Sequence, residues 1–535
     1  MTAELTQTSM MLATLLADQH HSKVCPSVWV SGITSNSQDV KPGYVFIALK
    51  GLSENGMDYI PQAIELGTAA ILVDFADINN ASTYLSDQAD RRLIPIVGVQ
   101  SLRLSLSSIA GKFYDNPSHR LRLVAVTGTN GKTTCAQLYA DISSRLKTVL
   151  SAQAGESGFV GTLGHGIANK PDVSPLVESS QPSLKSPLTT PDAISMQRIL
   201  ADLESKGCNE VALEASSHAL AQGRIAGLLV DTAIFTNLSR DHLDYHGNLE
   251  TYAAAKRSLF SMQGIKNAVI NIDDSVGKSI LLGLDPAIRA VTFSLENITA
   301  DIYCRKISLT PRGISALIQT PWGSGQISSN LLGKFNLSNV LAVIAAAVVQ
   351  ASGSEYKNFT KILALLPELK PVVGRMEMVR NNKGPAVIVD YAHTPDALDK
   401  ALHALRLHCK GQLWVVFGCG GDRDTGKRKE MGAVASKSAD QIIVTSDNPR
   451  TEDPTKIIEN VVSGTFGKIN LEQDRRAAIN LAITNAAQDD IVLIAGKGHE
   501  NYQIIGNERF PFSDQVEAQL ALSSLDGANS FGVPT

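Results

Sequence analysis

The feature that most constrains this chain is short. Residues 121–126 form a largely apolar run, residues 128–134 read GTNGKTT, and a helix-compatible stretch follows from Thr133. A strand, a glycine-bearing turn and a helix, in that order, make a phosphate loop. Gly128 and Gly131 let backbone N–H groups face an anion, Lys132 suits the β and γ oxygens of a nucleotide, and the Thr133 hydroxyl suits Mg2+. The usual spacing has a further glycine five residues before Gly131; Val126 stands there, so this is a shortened variant. A plain strand-to-helix turn can carry the same residues, and it is the flanking elements that favour the phosphate site.

Apolar runs recur on both sides of that unit with helical stretches between them. They fall at 44–49, 69–73 and 94–97, then at 210–213, 232–235 and 268–272, and finally at 387–389, 413–417, 442–444 and 491–494. This rhythm predicts an α/β protein with parallel sheets. At 535 residues the chain exceeds what one core supports. A turn signal at 116–118 and a break at 367–374 suggest three domains: a small N-terminal α/β domain (1–118), a central doubly wound parallel sheet with the P-loop (119–366), and a C-terminal Rossmann-like α/β domain (367–535). The Ala-rich stretch 336–351 predicts a long helix closing the central domain. The Ser- and Pro-rich stretch 170–187 reads as a mobile loop, and the tail beyond Ser523 as frayed.

Composition narrows the partners. With 44% hydrophobic and 19% charged residues, a formal charge of -4 and a pI near 6.3, the chain reads as a soluble globular protein without the basic face that nucleic acid needs. Six cysteines, at 25, 135, 208, 304, 409 and 419, form no CxxC pair, which speaks against a disulfide framework or a zinc site and for a reducing compartment. The apolar run 10–17 follows Glu4 and no Lys or Arg, so it predicts a helix and not a signal peptide. The longest apolar stretch, 340–349, is about half of what a bilayer requires. A cytoplasmic monomer without membrane insertion is expected.

Two polar clusters fall at the predicted carboxyl ends of parallel strands, where open α/β sheets collect ligands. Glu214 ends one strand in EASSH, and His242 lies in NLSRDHLDYHG after the next. Alone, Glu214 reads as a helix cap and His242 as a loop imidazole. Beside a phosphate loop, both can reach a cation held by ATP phosphates, and carboxylate with phosphate oxygens suits magnesium.

At this point the sequence resembles the Mur ligase family. The resemblance runs through GTNGKTT (128–134), TTPDA (189–193), EASSH (214–218), NLSRDHLDYHG (237–247), AAAKR (253–257), GRME (374–377), DYAHTPDAL (390–398), FGCGGDRD (417–424), DNPRTEDP (447–454) and GKGHE (496–500). It implies domains that take, in order, a UDP-sugar, ATP and an amino acid. It also implies amide formation driven by ATP, with Lys132, Glu214, His242 and Lys256 as the catalytic residues. Lys256 is implied to be carbamylated by CO2, joining Thr133, Glu214 and His242 around Mg2+; read alone it is an ordinary helix lysine. Gly128, Thr129, Asn130, Gly131, Lys132, Thr133, Thr134, Asn271, Asn339, Arg375 and Asp390 are implied for ATP. Ser35, Ser37, Thr189, Thr190, Ser216, Gln222 and Arg224 are implied for UDP-MurNAc-L-Ala-D-Glu. Asn36, Gln38 and Tyr44 depart from the family pattern near the uridine.

The DNPR block is characteristic of members that add meso-diaminopimelate, through Arg423, Asp447, Asn448, Pro449, Arg450, Gly496 and Glu500. A guanidinium can pair with the second carboxylate of that amino acid, where lysine would present a cation. A structural ion pair after a turn is the other reading of Arg450. The rivals are a lysine-adding member of the family, a folylpolyglutamate synthetase, and a nucleotide-driven switch without turnover. His218 and His393 are candidates for taking a proton from the incoming amine, and neither is assigned.

Overall fold

The computed structural model describes residues 9–19, 27–51, 54–84, 94–150, 155–168, 188–311, 313–351, 353–379 and 384–528. The chain forms two compact units, 1–293 with 342–355, and 294–341 with 356–535. The expected boundary at 118/119 falls inside the first unit and that at 366/367 inside the second.

Beside the short pairing of Met10–Met11 with Trp29–Val30, the first unit holds two larger sheets. The smaller is parallel, its strands Gly32–Thr34, Tyr44–Ile47, Ala70–Asp74 and Ile96–Val99 lying side by side in chain order. Its faces bury different residues of the same strands, Val45, Ile47 and Leu72 on one side and Phe46, Ile71 and Val73 on the other, as the alternation of a strand dictates. In the larger sheet Arg122–Thr127 lies between Cys208–Glu214 and Thr232–Phe235, parallel to both. Beyond these, Glu156–Gly161 pairs with Cys208–Glu214, and Asn267–Asn271 with Thr232–Phe235, again in parallel. The chain therefore leaves Arg122–Thr127 for strands on both sides. The loop after it stands at the point where strand order reverses, the usual place for a ligand.

In the second unit six strands lie in the order Glu377–Val379, Ala386–Asp390, Ile491–Ala495, Leu413–Phe417, Gln441–Val444, Asn470–Leu471, with only the first antiparallel to its neighbour. Ile388, Val415 and Leu493 pack on one face, and Val387, Val389, Val416 and Ile494 on the other. Runs buried on both faces are why these strands read as continuous apolar stretches. The unit also carries an antiparallel meander, Ile302–Thr310, Gly313–Thr320 and Gly323–Ser329, and a hairpin, Tyr502–Ile505 with Glu508–Pro511.

The α/β class and its parallel-rich sheets match the sequence reading, as does the long helix, observed at Lys334–Gln350. Three details differ or fall outside. Residues 10–17 give a two-residue strand, Met10–Met11, and a single helical turn, Leu12–Leu15, because Met10 and Met11 pair with Val30 and Trp29. The chain beyond Ser523 is helical to Ala528, since Ala518, Ala521 and Leu522 dock the helix onto the core; residues 529–535 lie outside the described residues. The stretch 170–187 lies outside them too. Among the described residues no helix is long and apolar enough to cross a membrane.

Candidate active site

The loop 128–134 joins the strand Arg122–Thr127 to the helix Lys132–Leu150. Gly128 has no room for a side chain: a Cβ there would stand 1.9 Å from Thr236 Oγ1. Gly131 holds the left-handed φ of +87°. The block after the next strand braces the loop. Asn237 O accepts from Thr129 N at 2.8 Å, Asn237 Oδ1 accepts from Asn130 N at 3.0 Å, and Ser239 N donates to Thr129 Oγ1 at 2.9 Å. Lys132 Nζ donates to Gly128 O and Thr129 O, both at 2.9 Å. Thr133 and Thr134 occupy the first helical turn.

Lys256 ends on the same loop. It is buried to 1% exposure, its Nζ donates to Gly128 O at 2.7 Å, and the Tyr252 ring lies 4.6 Å away. Burial, and then the charge of Lys132, hold its amine well below the usual lysine range. Tyr252 also meets Thr129, its hydroxyl 3.1 Å from Thr129 Oγ1.

Glu214 is buried at the end of its strand, in register with Val126 on the phosphate-loop strand. Its carboxylate accepts from Thr162 N at 2.8 Å and Thr162 Oγ1 at 3.2 Å. His242 has a left-handed φ of +52° and a half-exposed side chain, with its ring 4.9 Å from that of His218. Among the described residues no three His, Cys, Asp or Glu side chains close around one point, so a cation here needs oxygens from elsewhere. Asn271 has its amide engaged at both ends, donating to Thr236 O at 2.7 Å and accepting from Asp273 N at 3.0 Å.

A second network lies in the same unit. Thr190 Oγ1 donates to Glu214 O at 2.7 Å and lies 3.1 Å from Ser216 Oγ. Arg224 Nη1 donates to Thr190 O at 2.8 Å, Arg224 Nε and Nη2 reach Gln222 Oε1 at 3.0 and 2.7 Å, and Gln222 Nε2 reaches the Tyr245 hydroxyl at 3.2 Å. Four of the residues implied for the UDP-linked dipeptide thus form one assembly; Thr189 adjoins it in the chain. Ser35 and Ser37 stand apart, Ser37 buried in the turn Ser37–Asp39 of the smaller sheet. There Asn36 caps the turn through Gln38 N at 3.1 Å, and the Tyr44 ring lies over Gly32, where a Cβ would come within 2.3 Å of it.

The second unit gathers the remaining residues. Asn339 Nδ2 donates to Asn336 Oδ1 at 3.2 Å. Asp390 accepts from Met376 N at 2.7 Å and Ala392 N at 2.9 Å, and burial pushes its carboxyl up. The Arg375 guanidinium lies 5.1 Å from the centre of the Tyr391 ring, and among the described residues its buried Nε has no hydrogen-bond partner. His393 Nδ1 lies 2.8 Å from Tyr391 O.

The blocks 447–450 and 496–500 meet at the carboxyl ends of Gln441–Val444 and Ile491–Ala495. Asn448 Nδ2 donates to Glu500 Oε2 at 2.9 Å. Gly496 has a φ of +117°, and a Cβ there would stand 2.7 Å from Asp447 Oδ2. Arg450 has a φ of +52°; its N donates to Ile504 O at 3.1 Å, its O accepts from Gly506 N at 2.8 Å, and its Nη1 donates to Gly421 O at 2.8 Å. Arg423 is exposed on the neighbouring loop, and Pro449 O accepts from Glu452 N at 3.1 Å. Lys497, fully buried, joins Asp447, Asn448 and Glu500.

Sequence reasoning missed several of these partners. Asn237, Ser239 and Tyr252 sit inside quoted blocks, and their spacing from the phosphate loop was the available signal. Thr162 belongs to a hairpin, Glu156–Gly161 with Gly164–Ile167, that no apolar run announced. The lysine of GKGHE was passed over between two recognised neighbours.

Comparison with known proteins gives the same blocks a context. Family models match at residues 30–114 (Mur ligase family, catalytic domain), 126–347 (Mur ligase middle domain) and 374–498 (Mur ligase, glutamate ligase domain). The UDP-N-acetylmuramoyl-L-alanyl-D-glutamate--2,6-diaminopimelate ligase of Coxiella burnetii is 41% identical over 513 residues, 95% of this chain and 98% of its own. The enzyme of the same name from Alkalilimnicola ehrlichii is 43% identical over 501 residues, 93% and 96% of the two chains. A solved structure bearing that enzyme name superposes with a TM-score of 0.69 at 34% identity, covering 97% of this chain and all of the other.

Proposed function

The chain belongs to the Mur ligase family, and from that premise we propose that it joins meso-diaminopimelate to the D-glutamate γ-carboxylate of UDP-MurNAc-L-Ala-D-Glu, with ATP as co-substrate, in peptidoglycan precursor synthesis. The observation that carries this reading lies in the second unit. A partly buried carboxylate, Glu500, is held by Asn448, while the guanidinium-bearing Arg450 is fixed nearby through its backbone. The far end of diaminopimelate carries one ammonium and one carboxylate, and these two groups complement it. Lysine, with an ammonium alone, leaves the guanidinium unanswered.

The reaction proceeds in two transfers. The γ-carboxylate oxygen attacks the γ-phosphorus in line, the bond to the β,γ-bridging oxygen breaks, and ADP leaves an acyl phosphate behind. Lys132, released from its own loop carbonyls, neutralises charge gathering on the transferred group. The amine then attacks the activated carbonyl, phosphate departs, the nitrogen loses a proton, and an amide remains. Arg224, anchored by Thr190 and Gln222, orients the dipeptide. Arg375, whose buried Nε has no partner among the described residues, and Asp390 are the residues of the second unit assigned to nucleotide oxygens and hydroxyls. Positioning and fixed charge supply most of the acceleration.

A magnesium ion fits the first unit on the chemistry of its donors. Glu214 offers a carboxylate already fixed by Thr162, Thr133 a hydroxyl in the first helical turn, and His242 a ring nitrogen. Lys256 supplies what the set lacks once it is carbamylated: burial and the charge of Lys132 lower the pKa of its amine, which favours the neutral form that reacts with CO2. Bound there, the ion would screen the phosphates. The same reading has the protein working as a monomer in the cytoplasm, where ATP is at hand.

The test is direct. Protein incubated with ATP, Mg2+, the UDP-linked dipeptide and either diaminopimelate or lysine is analysed by the mass of the product. Addition of diaminopimelate with stoichiometric phosphate release supports the assignment; a lysine adduct alone moves the protein to another branch, and ATP hydrolysis without any adduct removes it from the ligases.

A further inference from the structure

Lys497 is wholly buried, and the polar groups its ammonium meets, Asp447, Asn448 and Glu500, belong to the amino-acid site, with the Tyr502 ring 5.7 Å away. Its Nζ donates to Asn448 Oδ1 at 3.0 Å and lies 3.4 Å from Glu500 Oε2 and 3.5 Å from Asp447 Oδ1. A lysine taken out of water at this cost persists where its charge and its donors are both used.

The hydrogen bonds give it a specific task. Asn448 Oδ1 receives two donors, Lys497 Nζ and Ile504 N, both at 3.0 Å. A flipped amide would set its own N–H groups against both, so only one orientation survives. That orientation aims Asn448 Nδ2 at Glu500 Oε2, 2.9 Å away. Oε2 thus takes Asn448 and Lys497, and among the described residues no hydrogen bond reaches Oε1. Without the cation, the buried Asp447 and the partly buried Glu500 would lose the charge between them, and Arg475, which also feels both carboxylates, is committed to Asp514 at 2.7 Å. Repulsion would then separate them.

We propose that Lys497 is a positioning residue for the incoming amino acid: it locks the Asn448 amide and holds the Glu500 carboxylate in the place where the far ammonium of a diamino acid is received. The inference rests on the reading of this site as the diaminopimelate site, and Lys497 acts through Asn448 and Glu500 without touching the substrate.

The experiment compares wild type, Lys497→Met, Glu500→Gln and the double variant for the KM of diaminopimelate and of ATP, with thermal midpoints as a check on folding. Lys497→Met should raise the KM for diaminopimelate at least about tenfold, the size of one lost charge-assisted bond, with the KM for ATP within about twofold. The double variant should lose little more than Glu500→Gln alone. An unchanged KM for diaminopimelate, an equal rise for ATP, or additive losses would overturn the proposal. Should Lys497→Met not accumulate as folded protein, Lys497→Gln, which keeps a donor but no charge, is measured in the same way. If wild type instead uses another diamino acid and Lys497→Met raises the KM for that one selectively, the substrate reading fails and the role of Lys497 stands.

Discussion

Lys132 and Lys256 converge on one atom, the carbonyl oxygen of Gly128, which accepts from the first at 2.9 Å and from the second at 2.7 Å. Two amines this close oppose each other's protonation, and burial adds to the effect on Lys256, whose pKa is lowered. Lys132 can turn toward phosphate when a nucleotide arrives, whereas Lys256 is walled in by Tyr252 and the loop.

The proposed carbamylation of Lys256 would make activity depend on CO2. In buffer stripped of CO2, phosphate release should fall by on the order of tenfold, the loss typical of a missing metal-site partner, and return on adding bicarbonate. Lys256→Arg should stay inactive in both. A stability measurement checks the amine itself. An unfolded lysine keeps its proton to about pH 10.4, while the folded one gives it up earlier, so folding releases a proton and this burden on stability lightens as pH rises. Without CO2, the gain in Tm from Lys256→Met should therefore shrink between pH 7 and pH 10.

Glu214 is crowded by its own sheet. A Cβ on Gly161 would fall 2.0 Å from Glu214 Oε1, so Gly161→Ala should push the carboxylate aside while leaving the loop 128–134 untouched. The Mg2+ concentration for half-maximal activity should rise by roughly 10- to 100-fold. Thr162→Val, which removes the bond at 3.2 Å and keeps the one at 2.8 Å, should do the same to a smaller degree. A magnesium dependence unaltered in Gly161→Ala would separate Glu214 from the cation.

Arg450→Ala and Arg450→Lys should both weaken diaminopimelate use by about 2–3 kcal/mol, roughly 30- to 150-fold in its KM, because the lysine ammonium cannot reproduce the planar fork. The KM for ATP should stay within about twofold, since Arg450 is tied to Gly421 and to the hairpin tip, not to the loop 128–134. Steady-state kinetics with each substrate varied in turn decides it.

His408 governs a different property. Its Nδ1 lies 2.6 Å from Thr310 O and its Nε2 accepts from Gly333 N at 2.9 Å, so the neutral ring, protonated at Nδ1, is the form that fits, and burial holds its pKa below the usual value. A base depressed in the fold contributes its stability fully above the unfolded value, near 6.5, and loses it as pH falls below that. Wild type should therefore lose Tm between pH 7 and pH 5 more steeply than His408→Gln. At pH 8 the variant should be the weaker by about 1–3 kcal/mol, the cost of leaving Gly333 N–H buried and unmet.

What the sequence disclosed, and what it did not, divides along physical lines. Thr232–Phe235 and Leu413–Phe417 were legible to the residue, because a strand buried on both faces must be apolar throughout. The meander Ile302–Thr310, Gly313–Thr320 and Gly323–Ser329 was not, since its exposed positions admit serine, lysine and glutamine and leave no continuous run. The same contrast holds at the site. GTNGKTT announces itself because its chemistry is local, carried by backbone that glycine frees. Lys497 gives no such notice, because its burial is decided by Asp447 and Asn448, about fifty residues earlier in the chain. Glu210 and Glu214 share one strand and are both buried, yet Tyr139, Ser143 and Lys147 neutralise the former, a difference visible only once the helix Lys132–Leu150 has been laid across the sheet.

The hairpin Tyr502–Ile505 with Glu508–Pro511 holds Arg450 by main-chain bonds alone, through Ile504 O and Gly506 N. Selectivity of the proposed kind, anchored in this way, would be modular. A descendant of this chain seeking a new amine would have no need to disturb its ATP machinery: reshaping one solvent-lapped ribbon would re-aim the guanidinium or retire it, so a change of diet could cost a lineage only a handful of codons.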